Sequence, residues 1–216
     1  MKDIPLFTTE AGVVDLLLKE VPYRETAYVR IHSVREGELL PLLRECRSFC
    51  RMVGAEHIYA AGSDALESFP LYTSVLEFRG TSQTASGKMA NLFPVTEQTV
   101  SRWRCIYNER MRGVDNAATL ESRDEQKIVS SGGAYFVHES GELMGIGWLE
   151  DTKLLAMASV KPGAGEMVMH SLMSLVEGSS MTLEAASTNL RAIRLYEKLG
   201  FIPVREISSW YDISRI

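Results

Sequence analysis

Cysteine is scarce: there are three in 216 residues, an odd number that cannot pair completely. Cys46 and Cys50 stand four apart in a strongly helical pattern, the spacing at which two side chains share one helix face. Two metal ligands can be seated that way, but no Cys or His nearby in sequence completes a site. The histidines His32, His57, His138 and His170 are scattered without metal spacing. Reduced, buried thiols and no metal are therefore expected. Long apolar runs are missing as well; the longest fall well short of the ~20 residues of a membrane-spanning helix. The start, Met1-Lys2-Asp3-Ile4-Pro5, lacks the apolar stretch and small-residue cleavage site of a secretory signal. These absences read as a cytoplasmic chain with no membrane partner. Excess positive charge is also lacking. The formal net charge is −5 at pH 7, whereas a phosphate backbone attracts a basic face, so no nucleic-acid partner is expected.

What remains is an ordinary globular balance, 45% hydrophobic and 24% charged. A chain of this length buries a core without a disulfide or metal staple. From Thr81 to Lys88 there is no large apolar residue, only Ser, Thr, Gly and their small or polar neighbours. That stretch reads as a linker dividing the chain into parts 1–88 and 89–216.

In the second part a strand at Asn91 to Val95 is followed by Thr96 as an N-cap, with Val100, Trp103, Tyr107 and Met111 at helical spacing. A short helix follows from about Ser122 to Val129. Ala134 to Val137 and Leu143 to Trp148 flank Glu139-Ser140-Gly141-Glu142 as a hairpin. A third strand, Lys153 to Val160, leads to a helix from about Gly165 to Glu177. A strand at Met181 to Ala186 and a helix from Asn189 to Leu199, closed by Gly200, come next. Phe201 to Val204 and Ser208 to Ile213 supply the last strands. This order predicts a mixed α/β sheet. The first part reads as a shortened version of the same plan, with strands at Val13 to Leu18 and Ala27 to Val34, a helix marked by Leu39, Leu43, Cys46, Cys50 and Val53, a strand at His57 to Ala61, and a helix containing Leu71-Tyr72. Aligning Tyr72 with Tyr196 puts Leu71 on Leu195 and Ala61 on Ala185, a weak internal repeat.

The chemistry concentrates between Leu183 and Phe201. Glu184 lies on a strand among apolar and small residues, Asn189 opens a helix, and Tyr196 sits two turns into it. Partial burial raises a carboxylate's pKa and suits it to act as a general base near neutral pH. A phenol can donate a proton to a departing anion. Together they match what is needed to deprotonate an ammonium and protonate a thiolate.

This stretch, with Asn189, Ala192, Ile193, Leu195, Tyr196, Glu197, Leu199, Gly200 and Phe201 in their spacing, resembles the C-terminal signature of the GNAT superfamily of acyl-CoA N-acyltransferases. The spacing of Glu184, Asn189 and Tyr196 resembles that of the ribosomal-protein alanine N-acetyltransferases. The resemblance covers about residues 89 to 216. It implies an α/β (α+β) fold, a mixed, mostly antiparallel sheet flanked by helices, with residues 1–88 as a degenerate N-terminal half-copy. It implies acetyl-CoA as acyl donor and a small-molecule or peptide amine as acceptor, with Glu184 as base, Tyr196 as acid and Asn189 on the cofactor. It further implies that the strand end Ala158-Ser159-Val160 pairs with the pantetheine arm. The family's phosphate loop, Val-x-Pro, an Arg or Gln, then Gly-x-Gly-x-Gly/Ala, corresponds to Val160-Lys161-Pro162-Gly163-Ala164-Gly165-Glu166. Here the residues carrying the Arg or Gln are missing and Glu166 puts an anionic side chain in the first helical turn. Gly163, Ala164, Gly165 and Glu166 are the expected pyrophosphate contacts, since converging N–H groups at a helix start favour an anion.

The same glycines begin a dinucleotide fingerprint with Glu184 about 20 residues on, but Val168 replaces its last glycine and a hairpin precedes it. A second class of function stays open: a catalytically inactive GNAT-fold module that senses CoA or binds a protein. The N-terminal part would shape the acceptor pocket, dock on the C-terminal sheet or mediate a homodimer. Trp210-Tyr211 would line an acceptor site or fill core.

Overall fold

The computed structural model of the chain describes residues 1–81, 87–176, 178 and 180–216. The centre of the Ser/Thr-rich segment, 82–86, and Glu177 at the expected helix end lie outside the described residues. Contacts divide the chain into two units, Met1–Ser74 with Glu206–Ile216, and Val75–Arg205.

The first unit contains β1 (Ile4–Thr8), β2 (Gly12–Leu17), α1 (Val21–Arg24), β3 (Thr26–Val34), α2 (Leu39–Met52), β4 (His57–Ala61) and a 3-10 turn at Asp64–Ser68. It also holds the first residues of β5 (Leu71–Thr81) and the last of β11 (Ile202–Asp212). β1, β2 and β3 run antiparallel in turn, β4 is parallel to β3, and β11 is antiparallel to β4 through Tyr211 opposite Ala60. Strand alternation puts Val14, Leu16, Ala27, Val29, Ile31, Ile58 and Ala60 on one face. The four buried residues of α2, Leu42, Leu43, Cys46 and Cys50, close that face into a core. Both thiols are fully buried and free, as the four-residue spacing predicts, while Cys105 is free and exposed.

The second unit contains the rest of β5, β6 (Asn91–Pro94), α3 (Val100–Met111), α4 (Glu125–Ser131), β7 (Ala134–Glu139), β8 (Glu142–Glu150), β9 (Lys153–Ser159), α5 (Gly165–Met173), β10 (Ser180–Ala186) and α6 (Leu190–Lys198). Its strands lie in the order β5-β10-β9-β8-β7-β6, with only β9 and β10 parallel. One face is packed by Trp103 and Tyr107 of α3 and Ile128 of α4. The other is packed by Val168, Met169 and Leu172 of α5 and Tyr196 of α6. The mixed, mostly antiparallel, helix-flanked sheet expected from the sequence is the one observed.

Three local expectations are corrected. Leu71 and Tyr72 begin strand β5, not a helix: the Pro70 carbonyl accepts from the Asp212 N–H of β11 at 2.8 Å, and the Tyr72 ring stacks on Tyr59 with centroids 3.6 Å apart. The alignment of Tyr72 with Tyr196 therefore sets a strand residue against a helical one. The cap of α3 is Thr99, whose hydroxyl accepts from the Thr96 N–H at 2.9 Å. The two strands expected at the C-terminus are one continuous β11. The two units nonetheless share a motif: an antiparallel pair, a helix, and a strand parallel to the second member. It is β2-β3-α2-β4 in one and β8-β9-α5-β10 in the other. The final strands are exchanged, β5 lying beside β10 and β11 beside β4.

Candidate active site

The parallel pair β9 and β10 is short. Thr182 faces Lys153 and Leu183 faces Leu154, and pairing stops there. β10 stays on β5 as far as Ala186, and β9 stays on β8 as far as Ser159. The cause of the parting is local. Leu149 pairs with Leu154 but Trp148 with Ala156, so Leu155 is an extra residue on β9. Such a bulge bends its strand and adds twist, here one residue beyond the last contact with β10. By contrast β3 and β4 stay paired over five residues, from Thr26 opposite His57 to Arg30 opposite Ala61, and no comparable gap forms between them.

The parting of β9 and β10 opens a cleft of about 630 Å³, within the range of small-molecule sites. Its walls are residues Leu154 to Ser159 of β9, Leu183 to Ala186 of β10, Gly163, Gly165 and Glu166 at the start of α5, Asn189, Ala192 and Tyr196 around α6, and Tyr107, Arg110 and the segment Val114 to Ala118 following α3. Of the sequence-expected residues, Ala158, Ser159, Gly163, Gly165, Glu166, Glu184, Asn189 and Tyr196 line it. Val160 and Ala164 flank it without lining it. The Val160 N–H donates to the Met144 carbonyl at 2.7 Å, and its carbonyl accepts from Arg110 Nη2 at 3.0 Å. Alternation along an antiparallel pair then turns the backbone groups of Met157 and Ser159 away from β8, toward the cleft.

At one end Gly163 adopts φ +80°, and the chain turns into α5 with Ala164 as N-cap and no side-chain cap. The N-terminal N–H groups of α5 are thus not claimed by a cap. Glu166 in that first turn pairs with Lys198 at the end of α6, which balances the anionic charge noted in the sequence. Asn189 caps α6, its Oδ1 accepting from the Ala192 N–H at 3.3 Å.

Tyr196 is 7% exposed, set between Phe78 and Phe201 with ring centroids 6.1 and 6.2 Å away. Burial pushes its phenol up to about 12, so it carries its proton throughout the neutral range. Glu184 projects from the face of β10 opposite Leu183 and Ala185, which pack in the cluster containing Tyr196. It is an exposed carboxylate, ion-paired with Lys153. The wall from α3 escaped the sequence reading: Arg110 and Asp115 have no motif around them. Asp115 Oδ2 accepts from the Thr188 hydroxyl at 2.6 Å, tying that wall to the turn before α6. Among the described residues no group of three or more His, Cys, Asp or Glu side chains could hold a metal ion, and no helix is long and apolar enough to cross a membrane.

No family model matches the sequence, and no curated protein matches it. Solved structures do. An acetyltransferase of the GNAT family from Colwellia psychrerythraea matches with TM-score 0.53 and 11% identity over 96% of this chain and 84% of that one. A conserved protein of unknown function from Staphylococcus epidermidis matches with TM-score 0.57 and 10% identity over 96% of this chain and 92% of that one. A tandem GNAT protein from the clavulanic acid biosynthesis pathway matches with TM-score 0.53 and 14% identity over 94% of this chain and 79% of that one. At these identities the likeness is one of fold.

Proposed function

We propose that this chain, whose fold is that of the GNAT acetyltransferases, moves an acetyl group from acetyl-CoA to a primary amine by direct attack in a ternary complex. The observation that carries the reading is the cleft where β9 and β10 part after two paired residues. It offers a free strand edge at Met157 and Ser159 for an extended amide-bearing arm. At one end it has a helix start with uncapped N–H groups for phosphates. Gly163, Ala164 and Gly165 give the backbone approach to the pyrophosphate, beside Glu166 held off by Lys198. The strand end Ala158-Ser159-Val160 is the pantetheine wall. The outward-facing backbone groups of Met157 and Ser159 pair with the arm, while those of Ala158 and Val160 hold the strand on β8. Asn189, which lines the cleft while its Oδ1 caps α6, binds the donor.

Glu184 removes the ammonium proton, through a water where the acceptor stands off from it. Tyr196, kept protonated by burial, delivers a proton to the leaving thiolate. N–H groups on the free edge of β9 polarise the thioester carbonyl; donors fixed in advance around a developing oxyanion lower the barrier to acyl transfer substantially. The chain is read as acting in the cytoplasm on a soluble amine.

The test is calorimetric titration with acetyl-CoA and with CoA, followed by turnover on a panel of amines. Micromolar binding with turnover supports transfer. Micromolar binding without turnover of any amine favours the inactive CoA-sensing or protein-interaction module, for which the shortened phosphate loop is the specific motive. No binding at millimolar acetyl-CoA overturns transfer and CoA sensing and leaves the protein-interaction module.

A further inference from the structure

The carboxylate assigned as base already holds an amine. Lys153 and Glu184 stand where β9 and β10 part, Lys153 opposite Thr182 and one residue before the last pair, Leu154 with Leu183. Alternation puts the side chains of Thr182 and Glu184 on the same face of β10, and Lys153 Nζ donates to Glu184 Oε1. Glu184, Leu154 and Leu183 all line the cleft. The other lysine paired with a cleft carboxylate, Lys198 with Glu166, stands at the opposite end, on the first turn of α5. Lys153 itself borders the cleft without lining it, and its amine is bonded to the lining carboxylate that would deprotonate an acceptor.

We propose that Lys153 is itself an acceptor, acetylated on Nζ in cis from the thioester bound in the cleft. This rests on the transfer reading above and adds to it a modification site. Glu184 takes one proton from the ammonium and passes it to solvent. The freed nitrogen lone pair bonds the acetyl carbonyl carbon as the carbon–sulfur bond breaks. Tyr196 protonates the departing thiolate, and the second proton lost by the nitrogen restores the phenol. The products are an amide on Lys153 and free CoA. The modification replaces a cation by a neutral amide, so Glu184 loses its ion-pair partner and is left open to an incoming ammonium.

Exposure predicts the opposite order of reaction, which makes the proposal testable. Uncatalysed acetylation favours the most accessible amines, and the side chains of Lys88 and Lys198 are 67% and 65% exposed against 45% for Lys153. The full chain is incubated with acetyl-CoA and each lysine followed by site-resolved mass spectrometry, at several protein concentrations, beside the calorimetric titration and the amine panel. Lys153 is expected to react about tenfold or more faster than Lys198, the gain expected of a held amine, at a rate per molecule independent of protein concentration. Glu184→Gln should bring Lys153 down to the Lys198 rate while Lys88 and Lys198 are unchanged. If acetyl-CoA binds and added amines turn over while Lys153 lags behind Lys88 and Lys198, the modification site is wrong and the transfer reading stands. A Lys153 rate that rises with protein concentration overturns the reaction in cis. Absence of acetyl-CoA binding overturns both.

Discussion

Tyr196 occupies an apolar setting that both protects and defines its phenol. With Phe78 and Phe201 beside it, burial raises the phenol to about 12, so the proton it would give to a thiolate is present throughout the neutral range. Tyr196→Phe keeps the ring and its packing and removes only the hydroxyl. Turnover should fall roughly a hundredfold, in the range of a lost general acid, with acetyl-CoA affinity nearly unchanged by calorimetry; unchanged turnover would remove the acid role. The thiols of Cys46 and Cys50 are governed by the same physics. Burial raises them from 9.0 to about 12 and about 11 respectively. Above pH 9 the unfolded chain releases these protons while the folded chain keeps them, so stability present below pH 9 is lost as the pH climbs toward 12. The urea midpoint should therefore drop progressively from pH 9 upward, and less steeply in Cys46→Ala and Cys50→Ala. In the native protein at pH 8, iodoacetamide should label Cys105, which is exposed, and spare the other two; labelling of all three at equal rates would contradict their burial.

At the scale of elements, the start of α5 and the cap of α6 are where local conformation meets the proposed ligand. Gly163 holds φ +80° with open space where a Cβ would stand, so Gly163→Val tests backbone strain without a steric clash. A left-handed position costs a branched residue about 1–2 kcal/mol. Relief of that strain turns the loop, so acetyl-CoA binding should weaken more than the urea midpoint falls. Asn189→Ala removes one cap bond, worth about 1 kcal/mol, and the same pair of measurements shows whether the amide also serves the donor. These elements were legible in the sequence. The hairpin of β7 and β8 is marked by alternation around Ser140-Gly141, and α6 by a cap, an apolar stripe and Gly200. The cleft's residues were legible where a motif carries them. What escaped was non-local. The pairing of Glu184 with Lys153 and of Glu166 with Lys198 joins residues about thirty positions apart, and no periodicity reports it. The strand at Leu71 escaped because its short run of Leu, Tyr, Thr and Ser suits a helix or a strand alike until the bond from Asp212 to the Pro70 carbonyl and the stacking on Tyr59 decide.

Over the whole molecule the exchanged strands set what a division of the chain can preserve. A cut at the Ser/Thr-rich segment, the boundary proposed from composition, separates 1–88 from 89–216. The C-terminal piece then loses β5, and with it the seven register pairs that run along β10 from Ser180 to Ala186. It also loses Phe78, 1% exposed in the core beneath α5 and α6; removing a buried Phe side chain alone costs about 3–5 kcal/mol, against a typical total of about 5–15. The N-terminal piece loses the strand beside β4, together with Ile213, which is fully buried, and Ser214 Oγ, which accepts from the Ile58 N–H at 2.9 Å. Each piece is left with an open strand edge, a template for aggregation. Expressed singly, 1–88 and 89–216 should therefore be insoluble or lack a cooperative thermal transition by circular dichroism, and co-expression should restore both solubility and the transition. A C-terminal piece that melts cooperatively and binds acetyl-CoA on its own would show that β10 needs no partner from the first half, and the compositional boundary would then be the physical one. Failure of the pieces alone with recovery on mixing would instead mean that the cleft, although every residue lining it but Val75 lies beyond position 88, depends on a strand from the first half to hold β10 in place.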